Sequence, residues 1–206
     1  MMVRAGAMFI PEGDRYFAKV FARTGDRFQE DLYRAALHLA GRRRLAIDVG
    51  AHVGSWTRLT AKDFEHVVAF EPNHENYCCL CANAAGANAT LFQIALGSTD
   101  QRCALALHGD NSGCWHVQEG DAVVEMPLDF YDLDPDLLKI DVEGYEGQVL
   151  TGAQRTLELH SPVVVIEDNG LGAKLYGAAW VDPKPLLAGL GYRLHTRIEK
   201  DEIWTR

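Results

Sequence analysis

Long apolar runs are missing from this chain: no stretch approaches the roughly 18 consecutive apolar residues that a membrane span needs. Residues Met1 to Ile10 hold one arginine and a short apolar patch, without the longer apolar core and cleavage site of a secretion signal. That pattern points to the cytoplasm. Cysteine is scarce and irregular. Cys78, Cys79 and Cys81 crowd one segment, Cys103 and Cys114 stand alone, and an odd count without a regular framework excludes a disulfide scaffold. The paired C-x-x-C elements of a zinc site are absent, so the thiols read as small apolar packing groups. Basic residues are outnumbered: 20 Lys and Arg stand against 29 Asp and Glu, for a net charge of −9. A surface of that sign repels a nucleic acid backbone. Arg42-Arg43-Arg44 is the only compact basic run, and it reads as a solvated turn. Repeats, low-complexity tracts and Pro- or Ser-rich linkers are also lacking. Residues 1–206 therefore read as one domain, with an N-terminal helical segment over 1–43 and a core over 44–206.

What is present is an ordinary globular composition, 48% hydrophobic and 24% charged, long enough to bury a core. Asp26 with Gln29 resembles a capping box, followed by Phe28, Leu32, Ala35, Ala36 and Leu39 on one helical face and Gly41 at its end. Apolar runs at 45–47, 67–70, 90–95, 137–140 and 162–166 read as strands. Helices are expected after Gly54 to about Lys62, over 73–85, 145–159 and 183–190. Residues 103–127 read as extended segments broken by turns, and 192–205 as a closing hairpin. Strands alternating with helices predict an α/β fold on a mostly parallel sheet, whose ligands bind beyond the carboxyl ends of the strands. Asp48, Glu71, Asp141 and Glu167-Asp168-Asn169 stand at those ends.

Gly50 and Gly54 bracket a strand-to-helix turn, where glycine lets backbone N–H groups approach a ligand. Glu71 follows 21 residues after Gly50, at the end of the next strand, where a carboxylate can accept both hydroxyls of a ribose. The residues thus predict a site for an adenosine-containing ligand. A dinucleotide enzyme usually carries G-x-G-x-x-G; here the turn reads Gly50-Ala51-His52-Val53-Gly54, without the triplet. Asp48 would also repel a pyrophosphate. S-adenosylmethionine carries no phosphate, and its ammonium and sulfonium suit a carboxylate beside the turn where its methionine end lies. The His52 ring reads either as a ligand contact or as a turn residue that covers the site.

At this point the chain resembles the FkbM-type methyltransferases, from about Ala46 to Asp168. The blocks that carry the resemblance are Ile47 to Gly54, Phe70-Glu71-Pro72-Asn73 running on through Asn76 and Leu80 to Asn83, and Ala95-Leu96-Gly97. Leu138 to Glu146, with Val149-Leu150 and Gly152-Ala153, and Pro162 to Glu167 complete them. The resemblance implies a Rossmann-like class I methyltransferase fold, a seven-stranded, mostly parallel sheet with helices on both faces and a reversed last strand. It implies S-adenosylmethionine as methyl donor and a hydroxyl acceptor on a small carbohydrate-like molecule or secondary metabolite. Asp48, Gly50, Ala51, Gly54 and Glu71 carry over as cofactor contacts, with His52 and Pro72 beside them and Ala95 and Asn111 on the adenine side. The segment before Ala46 carries no family motif.

Methyl transfer to oxygen aligns acceptor oxygen, methyl carbon and sulfur, and an alcohol needs a base or a metal to weaken its hold on the proton. Lys139 and Asp141 alternate onto one side of their strand. Asp141 is the expected substrate-side carboxylate, Glu143 the next candidate, and Lys139 the residue that orients either. Acids at the positive end of a helix explain Glu143 and Glu146 equally well. Asp141, Asp168 and Asn169 offer a second route, three hard oxygen ligands that would suit Mg²⁺. His74, Trp115, His116 and Tyr145 are candidate acceptor-pocket residues, and the region 180–185 a candidate lid. Two other functions stay open: a nucleotide-dependent oxidoreductase or epimerase, and a non-catalytic S-adenosylmethionine-binding module.

Overall fold

The computed structural model describes residues 1–206. The chain opens with an antiparallel hairpin, β1 (Met2–Ala5) and β2 (Met8–Pro11), then α1 (Arg15–Thr24) and α2 (Glu30–Leu39). A β/α series follows: β3 (Leu45–Val49), α3 (Ser55–Thr60), β4 (His66–Phe70), α4 (His74–Asn83) and β5 (Ala89–Phe92). An inserted unit supplies β6 (Ala95–Leu96), β7 (Gln101–Leu107), β8 (Trp115–Glu119) and β9 (Val123–Met126). The series resumes with β10 (Leu137–Ile140), α5 (Glu146–Thr151), α6 (Gln154–His160), β11 (Val163–Glu167), α7 (Gly172–Tyr176) and α8 (Pro183–Gly189). It closes with β12 (Arg193–Ile198) and β13 (Asp201–Thr205).

The main sheet has seven strands in the order β12-β13-β11-β10-β3-β4-β5. β13 pairs antiparallel with both of its neighbours, while the remaining pairings run parallel. The reversed last strand that the resemblance implied thus lies in the closing hairpin. Period-two alternation divides the core into two layers. Ile47, Val68, Leu138 and Val164 face Val149, Leu150, Leu157 and Leu187 of α5, α6 and α8. Their neighbours Ala46, Val67, Leu137 and Val163 face Leu32, Ala36, Trp56 and Leu59 of α2 and α3. The inserted β6–β9 unit forms a separate four-stranded sheet in the order β6-β9-β7-β8. No helix is long and apolar enough to cross a membrane.

Four local expectations are corrected. The first residues of the N-terminal segment are a hairpin, not helix, with Met8 and Ile10 buried in a cluster with Phe17, Phe21 and Val53. Asp26 caps nothing: Gly25 ends α1 just before it, its carboxylate pairs with Lys62 at 3.0 Å, and α2 starts only after Gln29. The helix expected over 145–159 is two helices that break at Gly152, whose absent side chain lets the Gly97 carbonyl and Pro127 pack against it. The strand expected over 90–95 divides, because Ala95 leaves the main sheet to pair with Glu125 in the second. The basic run lies at the surface, as expected, and is tied down by its ion pairs. Arg44 holds Asp134 and the buried Asp136 at 2.8 Å each, and Arg42 reaches Asp136 at 3.4 Å.

Asn83 ties the N-terminal hairpin to the core. Its amide group donates to the carbonyls of Phe9 and Val53 at 2.8 and 2.7 Å, and its oxygen accepts from the Phe9 N–H at 2.7 Å. Asn83→Ala leaves these half-buried backbone groups unpaired, which costs about 1–3 kcal/mol per group lost to burial. The variant is expected to unfold at lower urea concentration than the parent and to be cut faster by protease ahead of α1. Unchanged urea midpoint and cleavage rate would show that the hairpin is held by its apolar contacts alone.

Candidate active site

The site forms where the carboxyl ends of β3, β4 and β10 come together. Gly50 leaves β3 at φ +74°, and a Cβ there would lie 1.9 Å from the Asp141 carbonyl oxygen. Only glycine allows that approach. The N–H groups of Gly50 and Ala51 both donate to the Phe70 carbonyl at 3.0 Å, and the Asp141 N–H donates to the Val49 carbonyl at 3.0 Å. The ladder thereby continues one residue past each strand and fixes Asp48, Glu71 and Asp141 around one cavity. That cavity measures about 310 Å³, and among its walls are Asp48, Gly50, Ala51, His52, Glu71, Pro72, Ala95, Asn111, Lys139, Asp141 and Glu143. Gly54 does not line it. At φ +87° it lies against Leu80, where a Cβ would come within 2.6 Å of Cδ1, so it shapes the turn from behind.

On the turn side, Asp48 is 1% exposed. Its Oδ2 accepts the Thr57 hydroxyl at 2.7 Å, and its Oδ1 is buried without a hydrogen-bond partner. Burial pushes this carboxyl up, against the pull of Lys139. Glu71 accepts the N–H groups of Asn73 at 2.7 Å and His52 at 2.8 Å, one on each oxygen. Each oxygen keeps a lone pair for a ligand hydroxyl. Burial raises its carboxyl to about 7 despite those bonds. His52 takes the left-handed region at φ +52°, uncommon for a residue with a side chain. Its Nε2 shares a hydrogen bond with Ser112 Oγ at 2.7 Å, and its ring lies 4.4 Å from that of Phe17. Burial lowers the imidazole to about 4, which keeps it neutral. His52 is therefore both a wall residue and a bracket for the turn.

On the far side, Lys139 is buried and lies 3.1 Å from Asp141 Oδ2 and 4.0 Å from Asp48 Oδ1, with its ammonium 5.4 Å from the Trp56 ring centroid. Burial would lower this lysine, but the two carboxylates outweigh it and hold it charged. Lys139 in turn overcomes the burial of Asp141 and keeps that carboxyl below its usual range. Glu143 has no lysine of its own. Its Oε2 accepts from Asn169 Nδ2 at 3.1 Å and lies 3.5 Å from His108 Nε2, and burial together with the Asp141 charge raises it to about 7. Glu146 is a different case. Its Oε1 accepts the N–H groups of Val142 and Gly144 at 3.2 and 3.1 Å, so it organises the start of α5.

The Mg²⁺ ligand set expected at Asp141, Asp168 and Asn169 is not assembled. Asp168 turns to Lys184 at 2.7 Å and Arg197 at 3.0 Å. Asn169 spends its oxygen on the Leu171 N–H at 2.9 Å and its amide on Glu143 and Glu167. Neither lines the cavity. Trp115, His116 and Tyr145 line the cavity, whereas His74 is exposed beside Gln93. The 180–185 region packs elsewhere, with Val181 against Gly147 of α5 and Trp180 against Gly172.

Several wall residues were not marked as site residues by the sequence: Tyr16, Phe17, Phe28 and Gln29 ahead of the core, Ser112 in the inserted unit, and Glu199 and Lys200 in the closing hairpin. Ser112 is held on three sides, its N–H by Asp14 at 2.8 Å, its carbonyl by Asn76 at 2.8 Å and its hydroxyl by His52. The one sequence signal there was the turn Gly109-Asp110-Asn111-Ser112-Gly113 in which it lies. Lys200 pairs with Glu167, a residue that burial raises to about 9.

These features meet those of known proteins. A family model described as the methyltransferase FkbM domain matches residues 48–194. No curated protein matches the chain. Among solved structures, an FkbM methyltransferase from Methylobacillus flagellatus is 21% identical with a TM-score of 0.51, over 80% of this chain and 44% of that one. The chain thus spans less than half of that protein's length. Precorrin-6y C5,15-methyltransferase from Geobacter metallireducens is 16% identical, with a TM-score of 0.51 over 85% and 87% of the two chains. Magnesium protoporphyrin IX methyltransferase from Synechocystis, solved with bound S-adenosylmethionine, is 11% identical, with a TM-score of 0.51 over 92% and 82%. At these identities the likeness is one of fold, the class I methyltransferase architecture. With 48–194 matched by the family model, the chain belongs to the FkbM methyltransferase family.

Proposed function

We propose that this chain transfers a methyl group from S-adenosylmethionine to a hydroxyl of a small polar acceptor, carbohydrate-like or a secondary metabolite. The observation that carries this reading is the single cavity that joins Asp48 and Glu71 to Asp141 and Glu143. The residues fit the donor. The unpartnered Asp48 Oδ1 offers a buried acceptor for an ammonium, and Glu71 is held by two N–H groups with lone pairs left for ribose hydroxyls. Ala51 and Pro72 bring backbone and apolar surface to the same wall, and Ala95 and Asn111 close its adenine end. When bound, the donor supplies an electrophilic methyl on a sulfonium. No nucleotide phosphate is accommodated as well, because Asp48 and Asp141 would face it.

The acceptor side divides its work between two carboxylates. Asp141, held charged by Lys139, orients a polar acceptor and favours positive charge beside it. Glu143 is the better base, since a carboxylate near 7 is partly protonated at neutral pH and takes a proton with little mismatch. Lys139 positions Asp141. Trp115, His116 and Tyr145 give the acceptor an aromatic wall.

Incubation with methyl-labelled S-adenosylmethionine and a panel of sugars, phenols and amines tests the acceptor class. Methyl groups recovered on hydroxyls support it, and methylation of amines alone contradicts it. On an accepted hydroxyl substrate, Glu143→Gln is expected to lower kcat by about 10²–10⁴-fold. Its affinity for S-adenosylhomocysteine should stay unchanged. Unaltered kcat would remove Glu143 from the chemistry.

Buried carboxyls in and beside the site set a pH dependence. Glu71, Glu143 and Glu146 are raised to about 7 and Glu167 to about 9, all through burial first. The folded chain therefore retains protons that the unfolded chain has already released, and its stability declines as pH rises through these values. His52, lowered to about 4, works the opposite way, but only below its ordinary value of 6.5. Between about pH 6.5 and 9 the Tm of the ligand-free protein should fall, and Glu71→Gln should flatten the fall. A Tm that rises over this range would contradict the assignment of buried, protonated carboxyls.

A further inference from the structure

Gln29 stands at the N-cap position of α2, but its side chain does not cap the helix. Its backbone is in the left-handed region at φ +57°, and its side chain makes no capping bond to the helix. A side-chain-bearing residue is uncommon in that conformation and is held there by its surroundings. The side chain is turned instead toward the cavity it lines, where Oε1 accepts the Trp56 indole N–H at 2.8 Å. Trp56 lies two residues past Gly54, and its ring neighbours the Lys139 ammonium. Gln29 therefore reaches from outside the 48–194 family match into the glycine-turn end of the site.

The charges at that end create a specific need. Asp48 and Asp141 present carboxylates, and Lys139, the cation between them, is engaged by both. An amino-acid end placed here carries an ammonium, which Asp48 Oδ1 can take, and a carboxylate, which faces two like charges. An uncharged donor is the group that can hold that carboxylate without disturbing Lys139. With its oxygen fixed by Trp56, Gln29 has an NH₂ group with two N–H bonds to offer. Phe17 and Phe28 line the cavity from the same segment and supply its apolar outer wall.

We propose that Gln29 binds the α-carboxylate of the methyl donor, so that the segment ahead of the matched domain completes the cofactor site. This rests on the S-adenosyl reading of the cavity. The test is calorimetric titration of the full chain and of Gln29→Ala and Gln29→Glu with two ligands. S-adenosylhomocysteine carries the amino-acid end; 5′-methylthioadenosine keeps the adenosine and thioether without it. A hydrogen bond to a charged group is worth about ten- to hundredfold in affinity. Gln29→Ala should weaken S-adenosylhomocysteine by that factor and leave 5′-methylthioadenosine unchanged. Gln29→Glu should weaken S-adenosylhomocysteine further, since it keeps an oxygen for Trp56 but opposes carboxylate with carboxylate. Equal weakening of both ligands by Gln29→Ala, or weakening of neither, overturns the proposal while the S-adenosyl reading stands. Failure of the parent chain to bind either ligand overturns that reading and the role of Gln29 with it.

Discussion

The contact on which the rest of this structure depends is the backbone approach of Gly50 to Asp141. β3 and β10 are adjacent parallel strands, and their register places Lys139 beside Asp48. A Cβ at position 50 would overlap the Asp141 carbonyl, so any other residue would push the two strand ends apart. With glycine there, the turn after β3 folds onto the Phe70 carbonyl and delivers the His52 N–H to Glu71. Two carboxylates from neighbouring strands and one lysine then share a small buried volume. That arrangement is costly without compensation, because each ion has left water. Lys139 compensates Asp48 and Asp141 together, so removal of the lysine would leave both carboxylates without their cation.

The uncompensated remainder gives the site its character. Asp48 Oδ1 has no partner, Glu143 has an amide and an imidazole but no lysine, and Glu71 is bound only by N–H groups. Natural structures leave few buried polar groups unsatisfied. Asp48 Oδ1, Glu71 and Glu143 face one cavity, and each matches a part of an adenosyl amino-acid ligand or its acceptor. Tyr16 and Phe17 of α1 line this cavity, and Asp14 ahead of that helix is tied to Ser112 of the inserted unit.

The sheet was legible in the sequence because its strands are short, apolar on both faces and bounded by glycine or acid. β3, β4, β10 and β11 stand within a residue or two of their expected places. Their end positions give Asp48, Glu71 and Asp141 directly. Less legible was everything set by tertiary contact. Gln29 looked like half of a capping box, but Gly25 ends a helix that the apolar pattern did not separate from the next. Asp168 and Asn169 follow a strand as good ligands would, yet Lys184 and Arg197, distant in sequence, draw Asp168 away. Phe17, Ser112 and Lys200 reach the cavity from three separate segments, and no local spacing marks them. Periodicity reports which face is buried; it does not report which buried face meets a ligand.

Calorimetric titration of the purified chain with S-adenosylhomocysteine, and separately with NADH, tests the central claim that the ends of β3 and β4 form an adenosyl site built around Glu71. The account predicts micromolar binding of S-adenosylhomocysteine alone, lost in Glu71→Ala, since the variant removes the acceptor that both N–H groups hold in place. Binding of NADH alone, or S-adenosylhomocysteine affinity that Glu71→Ala leaves untouched, would contradict it.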